Sequence, residues 1–380
     1  MKAGRLLRAT CAFAVLATSV GMVFGQWSSD PTTNLAIADR LGEQSVPMIH
    51  ATSDGGCYVS WFDGSAGDYD VYLQRLDPAG NELWAHNGLL LADRSFEWTQ
   101  YYGLDVDASD NALLAFRDDR FGGEQVTAVK VSPDGEFLWG ASGVQLGGGV
   151  GMAQSPKIAA TTDGCVVVGW AVEHGDHSDV RFQRLDASGA AQWENDLVLA
   201  PVSGSFGRID LHASDGGAVI AAWVKEGPGF WDPKHLYAQK ISAAGEGLWG
   251  ATPLVVFDSG SLAFGDFPEF VPDGSGGAVF GWHRVDPSYD CYAQHVLADG
   301  TEQFGHNGAL ASTVSTRIRV DPCVSFSPST NETFLFWVEI YREPNQPDEY
   351  GVYGQKFDHG GNRGWSNQGA AVAPLSTNPV

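Results

Sequence analysis

A stretch of about 55 residues recurs six times along this 380-residue chain, and that recurrence restricts the fold more than any other feature. One copy reads TSDGGCYVSWFD from Thr52, then DVYLQRLDPAGNELW ending at Trp84, then a Gly and the apolar tetrad LLLA. A later copy reads TTDGCVVVGWAV and DVRFQRLDASGAAQW, and the next reads ASDGGAVIAAWVK and HLYAQKISAAGEGLW. Two aromatic positions mark every copy. The first is Trp61, Phe116, Trp170, Trp223, Trp282 and Trp337, at spacings of 55, 54, 53, 59 and 55 residues; the second is Trp84, Trp139, Trp193, Trp249, Phe304 and Trp365. The units cover about 45–99, 100–153, 154–205, 206–264, 265–317 and 318–375. Ten of the 13 Trp are therefore structural repeat positions, which leaves Trp27, Trp98 and Trp231 outside the pattern.

Each unit divides into four short strands. An Asp-Gly turn (Asp54, Asp163, Asp215 and Asp273 in four copies) joins the first strand to a β-branched and aromatic second one, because Gly supplies the positive φ of tight hairpins. The third strand carries a Gln and a base (Gln74, Gln183, Gln239, Gln294, Gln355), and a second Gly turn leads to the fourth. The simplest role for these Gln is to satisfy backbone groups between neighbouring units. No segment keeps a 3.6-residue apolar period, so the chain is all-β. Six four-stranded units that cannot bury both faces alone point to radial stacking in a β-propeller, with the aromatics filling the wedge between blades. A linear β-solenoid fits less well, since its coils are shorter and need no paired hairpins. Near the N-terminus, Trp27 followed by Leu35–Ala38 (LAIA) resembles the end of a unit. It is expected to pair with the last blade and close the ring, in six or seven blades.

Residues 2–25 carry Lys2, Arg5 and Arg8 ahead of an uncharged apolar run, which reads as a secretory signal cleaved before Gln26. Residues 26–380 then form a single propeller domain, expected to be a secreted monomer without a membrane-spanning segment. With 46 acids against 22 bases the formal charge is −24, which excludes nucleic acid as a partner and leaves an extracellular protein or glycan. Cys57, Cys165, Cys291 and Cys323 are too sparse for a disulfide scaffold, and a bridge between Cys291 and Cys323 is left open.

With the repeat laid out, the chain resembles the delta-60 repeat type of bacterial β-propeller. The fifth copy carries the likeness best, in GSGGAVFGWHR and CYAQHVLADGTEQFGHNGAL, although most copies have Trp where that pattern has Phe. The resemblance spans about residues 45–375 and implies a fold rather than an activity. Two other motifs come near. GNELW (Gly80 to Trp84) is similar to the end of the tryptophan-docking motif of quinoprotein-type propellers, and SPDGEFLW (Ser132 to Trp139) is similar to the Asp-box of sialidases with its Gly displaced by one.

The loops between second and third strands vary in length and share one face, where rigid scaffolds tend to carry binding residues. They hold Asp63, Asp68, Asp70, Asp118, Asp119, Glu173, Asp176, Asp179, Trp231, Tyr289, Tyr341 and Arg342, suited to a cation, a sugar or a peptide. Glu173, His174, Asp176 and His177 are the densest group of candidate metal ligands. Calcium is the one cofactor the Asp-rich loops suggest, yet neither DGSAGDYD nor DVDASDN fits an EF-hand. Asp105, Asp107, Asp210 and His212 fall in first strands, nearest the axis. The expected role is a non-catalytic binding scaffold acting through the loop face. The alternative is a carbohydrate-active enzyme, glycosidase or lyase-like, using those channel groups; as a glycosidase it needs two carboxyl groups about 5 to 9.5 Å apart.

Overall fold

The computed structural model describes residues 30, 32–147, 151–265 and 268–378. The expected signal segment, its cleavage point and Trp27 lie outside the described residues. The chain forms six antiparallel sheets, a six-bladed β-propeller with the strands of each blade consecutive in sequence. Blade 1 comprises Gln44–Ala51, Cys57–Asp63, Asp70–Leu76 and Leu89–Ala92. Blade 2 comprises Gly103–Val106, Ala112–Asp118, Gln125–Val131 and Val144–Leu146. Blade 3 comprises Met152–Ala160, Val166–Glu173, Ser178–Leu185 and Leu197–Leu199. Blade 4 comprises Ser205–Ala213, Val219–Glu226, Lys234–Ile241 and Leu254–Phe257. Blade 5 has a divided first strand, Ser261–Leu262 and Phe270–Pro272, then Ala278–Asp286, Asp290–Val296 and Ala309–Leu310. Blade 6 comprises Ile318–Ser327, Glu332–Tyr341, Glu349–Phe357 and Ala370–Ser376.

The two aromatic sets do different work. The first is buried throughout: Trp170, Trp223 and Trp282 fully, and Trp337 nearly so, in the clusters between blades, while Trp61, also nearly buried, stacks on Tyr72 of its own blade. The indoles of Trp61 and Trp337 donate to Asp63 and Glu339 two residues on, at 3.3 and 2.8 Å. The second set stitches one blade to the next at the outer rim. Trp84, Trp139, Trp193 and Trp249 each donate Nε1–H to a turn carbonyl of the following blade, those of Pro133, Ala187, Ala243 and Ala298, at 3.0 to 3.2 Å. Each bonded carbonyl lies two residues before a turn Gly, and at Gly189 an added Cβ would fall 3.0 Å from the Trp139 ring.

The Gln residues act within a blade rather than between blades. Gln239 accepts from the Lys240 and Trp249 N–H groups and donates to the Gly250 carbonyl, so it ties the third strand to the hairpin before the fourth. Gln74, Gln183, Gln294 and Gln355 repeat the pattern; only Gln355 also reaches the neighbouring blade, at Ala311. In blades 1, 3, 4 and 5 the base after the Gln reaches the acid of its own blade's inner hairpin: Arg75 to Asp54, Arg184 to Asp163, Lys240 to Asp215 and His295 to Asp273, at 2.5 to 2.9 Å. The recurring Asp-Gly is thus half of an ion pair as well as a turn.

Among the described residues no N-terminal strand closes the ring. Leu35–Ala38 adopt no strand, and blade 6 is completed by its own fourth strand. Cys57, Cys165 and Cys323 are free thiols, so neighbouring blades are held without a Cys291–Cys323 bridge. Among the described residues no helix is long and apolar enough to cross a membrane.

Candidate functional site

First strands line the axis, and in four of them a β-bulge interrupts the ladder near the loop-face end. Its left-handed residue is Val46, Ser155, Arg208 or Asp321, followed by Pro in three cases, so the missing N–H and the fixed φ of Pro fall where pairing is already lost. The bulge re-aims the strand. At blade 4 it presents Arg208 at the channel mouth.

There an open cavity of about 390 Å³ is lined by Tyr101, Lys157, Arg208, Ile209, Asp210, His212, Pro268, Glu269, Phe270 and Val271, from blades 2 to 5. Asp210 lies 3.4 Å from His212 Nε2 and 3.7 Å from Lys157 Nζ, and accepts the Leu211 N–H at 3.0 Å. Burial alone would raise its pKa, but His212, Lys157 and that N–H outweigh it and bring the carboxyl down to about 2. The His212 ring stands edge-on to Phe270, with centroids 4.7 Å apart, which fixes its plane. Arg208 is held by Glu226 at 2.8 Å and also lies over the Phe264 ring at 5.4 Å. Phe264 packs on Phe230, which packs on Trp231, and Trp231 is 91% exposed. An aromatic shelf therefore continues from the cavity onto the loop face.

The other expected channel groups separate. Asp105 lies on the blade 2 first strand and accepts the Ala160 N–H at 2.8 Å; it is also 3.0 Å from His50 Nε2, and the His50–Asp105 hydrogen bond raises the His50 pKa against the effect of burial. Asp107 is not a channel residue. It caps the inner hairpin of blade 2 through Asn111 and Ser109 and pairs with Lys130 at 2.8 Å. Asp210 with His212 is the one channel pair that the sequence proposed and the fold brings together.

Most loop-face acids are committed to their own blades. Asp63, 1% exposed, accepts from Trp61 and the Ser65 N–H. Asp70 accepts the Arg94 N–H, and Asp118 holds Arg120 through both carboxylate oxygens. Asp119 accepts the Ser95 N–H, and Asp68 is half-buried in the blade 1 loop. The four candidate metal ligands are committed to hydrogen bonds, Glu173 with Gln154, His174 with Asp179, and Asp176 with His177 inside the set, whose two His rings stack at 4.8 Å. Among the described residues no group of three or more His, Cys, Asp or Glu is placed to hold a metal ion. Asp179 is further bound by Arg181. Tyr289 is exposed on blade 5, and Arg342, beside Tyr341, pairs with Asp348 at 2.9 Å on blade 6. Of the loop-face set, only Trp231 belongs to the cavity and its shelf. The cavity residues Tyr101, Lys157, Arg208 and Glu269 were not singled out from the sequence; polar residues at the starts of first strands were the available sign.

No family model matches the chain and no curated protein matches it, so the delta-60 likeness is one of repeat pattern. Solved structures that resemble it include carbohydrate-cleaving enzymes. One is a polysaccharide lyase described as an ulvan lyase, at 10% identity and TM-score 0.48, covering 81% of this chain and 78% of that one. Another is an α-L-arabinofuranosidase from Fusarium graminearum, at 12% identity and TM-score 0.45, covering 83% and 93%. A third is a protein of unknown function from Dyadobacter fermentans, at 11% identity and TM-score 0.47, covering 84% and 95%. The likeness is one of fold.

Proposed function

We propose that this protein is a carbohydrate-active propeller that cleaves an acidic polysaccharide at the channel mouth. The observation that carries this reading is the convergence of Asp210, His212, Lys157, Arg208 and Tyr101 on one open cavity in a chain with twice as many acids as bases. A carboxyl brought down to about 2 is ionised at neutral pH and cannot be the proton donor of a glycosidase. It can orient His212 as a base. Lys157 and Arg208 pair with a uronate carboxylate and acidify the adjacent C–H. His212 takes that proton, the C–H electrons form a carbon–carbon double bond, and the C–O bond to the next sugar breaks. The Tyr101 hydroxyl returns a proton to the leaving oxygen. Trp231 and Phe264 stack against further sugar units. The export signal expected over residues 1–25 would put the enzyme among extracellular polysaccharides.

The test is incubation with pectate, alginate, ulvan and hyaluronan beside neutral arabinan, following the ultraviolet absorbance of the new double bond and the release of reducing ends. A base role predicts that His212→Ala lowers the rate by about 10² to 10⁴-fold. Reducing ends without the absorbance would replace elimination by hydrolysis. The exposed shelf of Phe230, Trp231 and Phe264 favours a second reading, binding without cleavage. Retention of a polysaccharide with no product of either kind would select it.

A further inference from the structure

The junctions between successive blades follow one plan, and the gap from blade 6 to blade 1 does not. Five apolar clusters join blades 1 to 2, 2 to 3, 3 to 4, 4 to 5 and 5 to 6; among the described residues none joins 6 to 1. On first strands the apolar residue facing the preceding blade is Leu104, Ile158, Leu211 or Val324, at 8%, 4%, 4% and 5% exposure, but its blade 1 counterpart Ile49 is 68% exposed. Across the gap, blade 6 leaves Phe334, Phe336 and Val338 half-exposed and Cys323 exposed, where blade 4 buries Ile220, Ala222 and Val224 against blade 5.

The N-terminal segment shows what the gap is shaped for. Asp39 donates its N–H to Asn87 Oδ1 at 2.8 Å and lies 3.1 Å from His86 Nε2. Asp258 makes the same two contacts with Asn307 and His306, at 2.7 and 3.2 Å, and Asp258 directly follows the fourth strand of blade 4. Asp39 therefore stands where the fourth strand of a blade preceding blade 1 would end, and Leu35–Ala38 lie on the approach to it. That blade is not blade 6, whose fourth strand is Ala370–Ser376.

We propose that the gap between blades 6 and 1 is a docking site for one further antiparallel β-sheet, three strands wide. It stacks on the two uncovered faces and takes residues 35–38 as its fourth strand. The partner's chemistry follows from continuity with the five existing junctions: apolar on both faces, as inner blades are. Phe336 adds a constraint. The residue before the marker aromatic is Ser60, Ala115, Gly169, Ala222 or Gly281 in the other blades, and the Phe336 ring lies over Gly354 instead. The incoming inner strand needs a small residue opposite it, which Ile49 is not.

The chain itself supplies a probe. A second copy of residues 203–251, three strands and their hairpin, is appended after Val380 with Leu211→Ala in the added copy only. Docking predicts that the added copy resists trypsin and that maleimide alkylation of Cys323 slows by at least about tenfold against the unextended chain. Digestion of the copy with Cys323 alkylated at the original rate overturns the proposal. In the unextended protein, Ile49→Asp should leave Tm unchanged while Leu211→Asp lowers it. An equal drop from both would mean that the chain's own residues cover that face, and would overturn it too.

Discussion

At Asp210, burial and charge pull in opposite directions, and the charges win. Its pKa falls to about 2 because His212, Lys157 and the Leu211 N–H favour the ionised form more than burial opposes it. A carboxyl depressed in the folded state stabilises above its unfolded pKa, and that contribution fades as pH falls through the folded value. Asp210→Asn should therefore cost about 2 kcal/mol at neutral pH, a fraction of that near pH 2 and almost nothing below it. Urea unfolding of both proteins across that range measures the difference. A cost that stays constant with pH would mean that Asn is tolerated poorly for its shape, and would remove the charge argument that excludes Asp210 as a proton donor.

The rim stitch between blades offers a gain of stability as its test. Four junctions use a Trp indole bonded to the next blade's turn carbonyl, and the fifth uses Phe304, 4% exposed and packed on Gly361. Phe304→Trp should add the missing bond to the turn carbonyl of His359 and raise stability by about 1 kcal/mol, read as a higher urea midpoint at unchanged slope. A lower midpoint would show that this junction is closed too tightly for an indole. Such elements were legible in the sequence because they repeat: marker aromatics, Gly turns and four-stranded units all stand at fixed spacing. The site was legible only in part: Asp210 and His212 stand out as polar residues in a first strand, but the rest of the cavity lining departs from the repeat without a marker. Lys157 and Arg208 lie at or beside bulges whose backbone turn no spacing announces, and Tyr101 and Glu269 precede strands of different blades. The recurring Gln was visible, but its partners were misjudged. A glutamine ten residues before a Trp reads equally well as facing its own hairpin or the next blade, and only the register decides.

Over the whole molecule, ring closure was the misread feature. LAIA resembles a fourth strand, and the contacts of Asp39 show why, but the blade it would complete is not among the six described. The acidity bears on the proposed function as well as on the surface. On the proposed function, a formal charge of −24 would repel a polyanion at long range, while Lys157 and Arg208 would attract it within the cavity. These two effects respond differently to salt. Exposed charges are screened beyond a Debye length of about 8 Å at physiological ionic strength, whereas contacts inside a partly buried cavity are screened less. Repulsion should thus weaken first. For cleavage of an acidic polysaccharide, kcat/KM should rise as sodium chloride increases from about 10 mM toward about 150 mM and fall only beyond it, with the rise carried by KM and kcat nearly constant. A monotonic fall from the lowest salt would mean that local attraction outweighs the net charge even at long range. The polyanion would then approach over a basic track larger than these two residues.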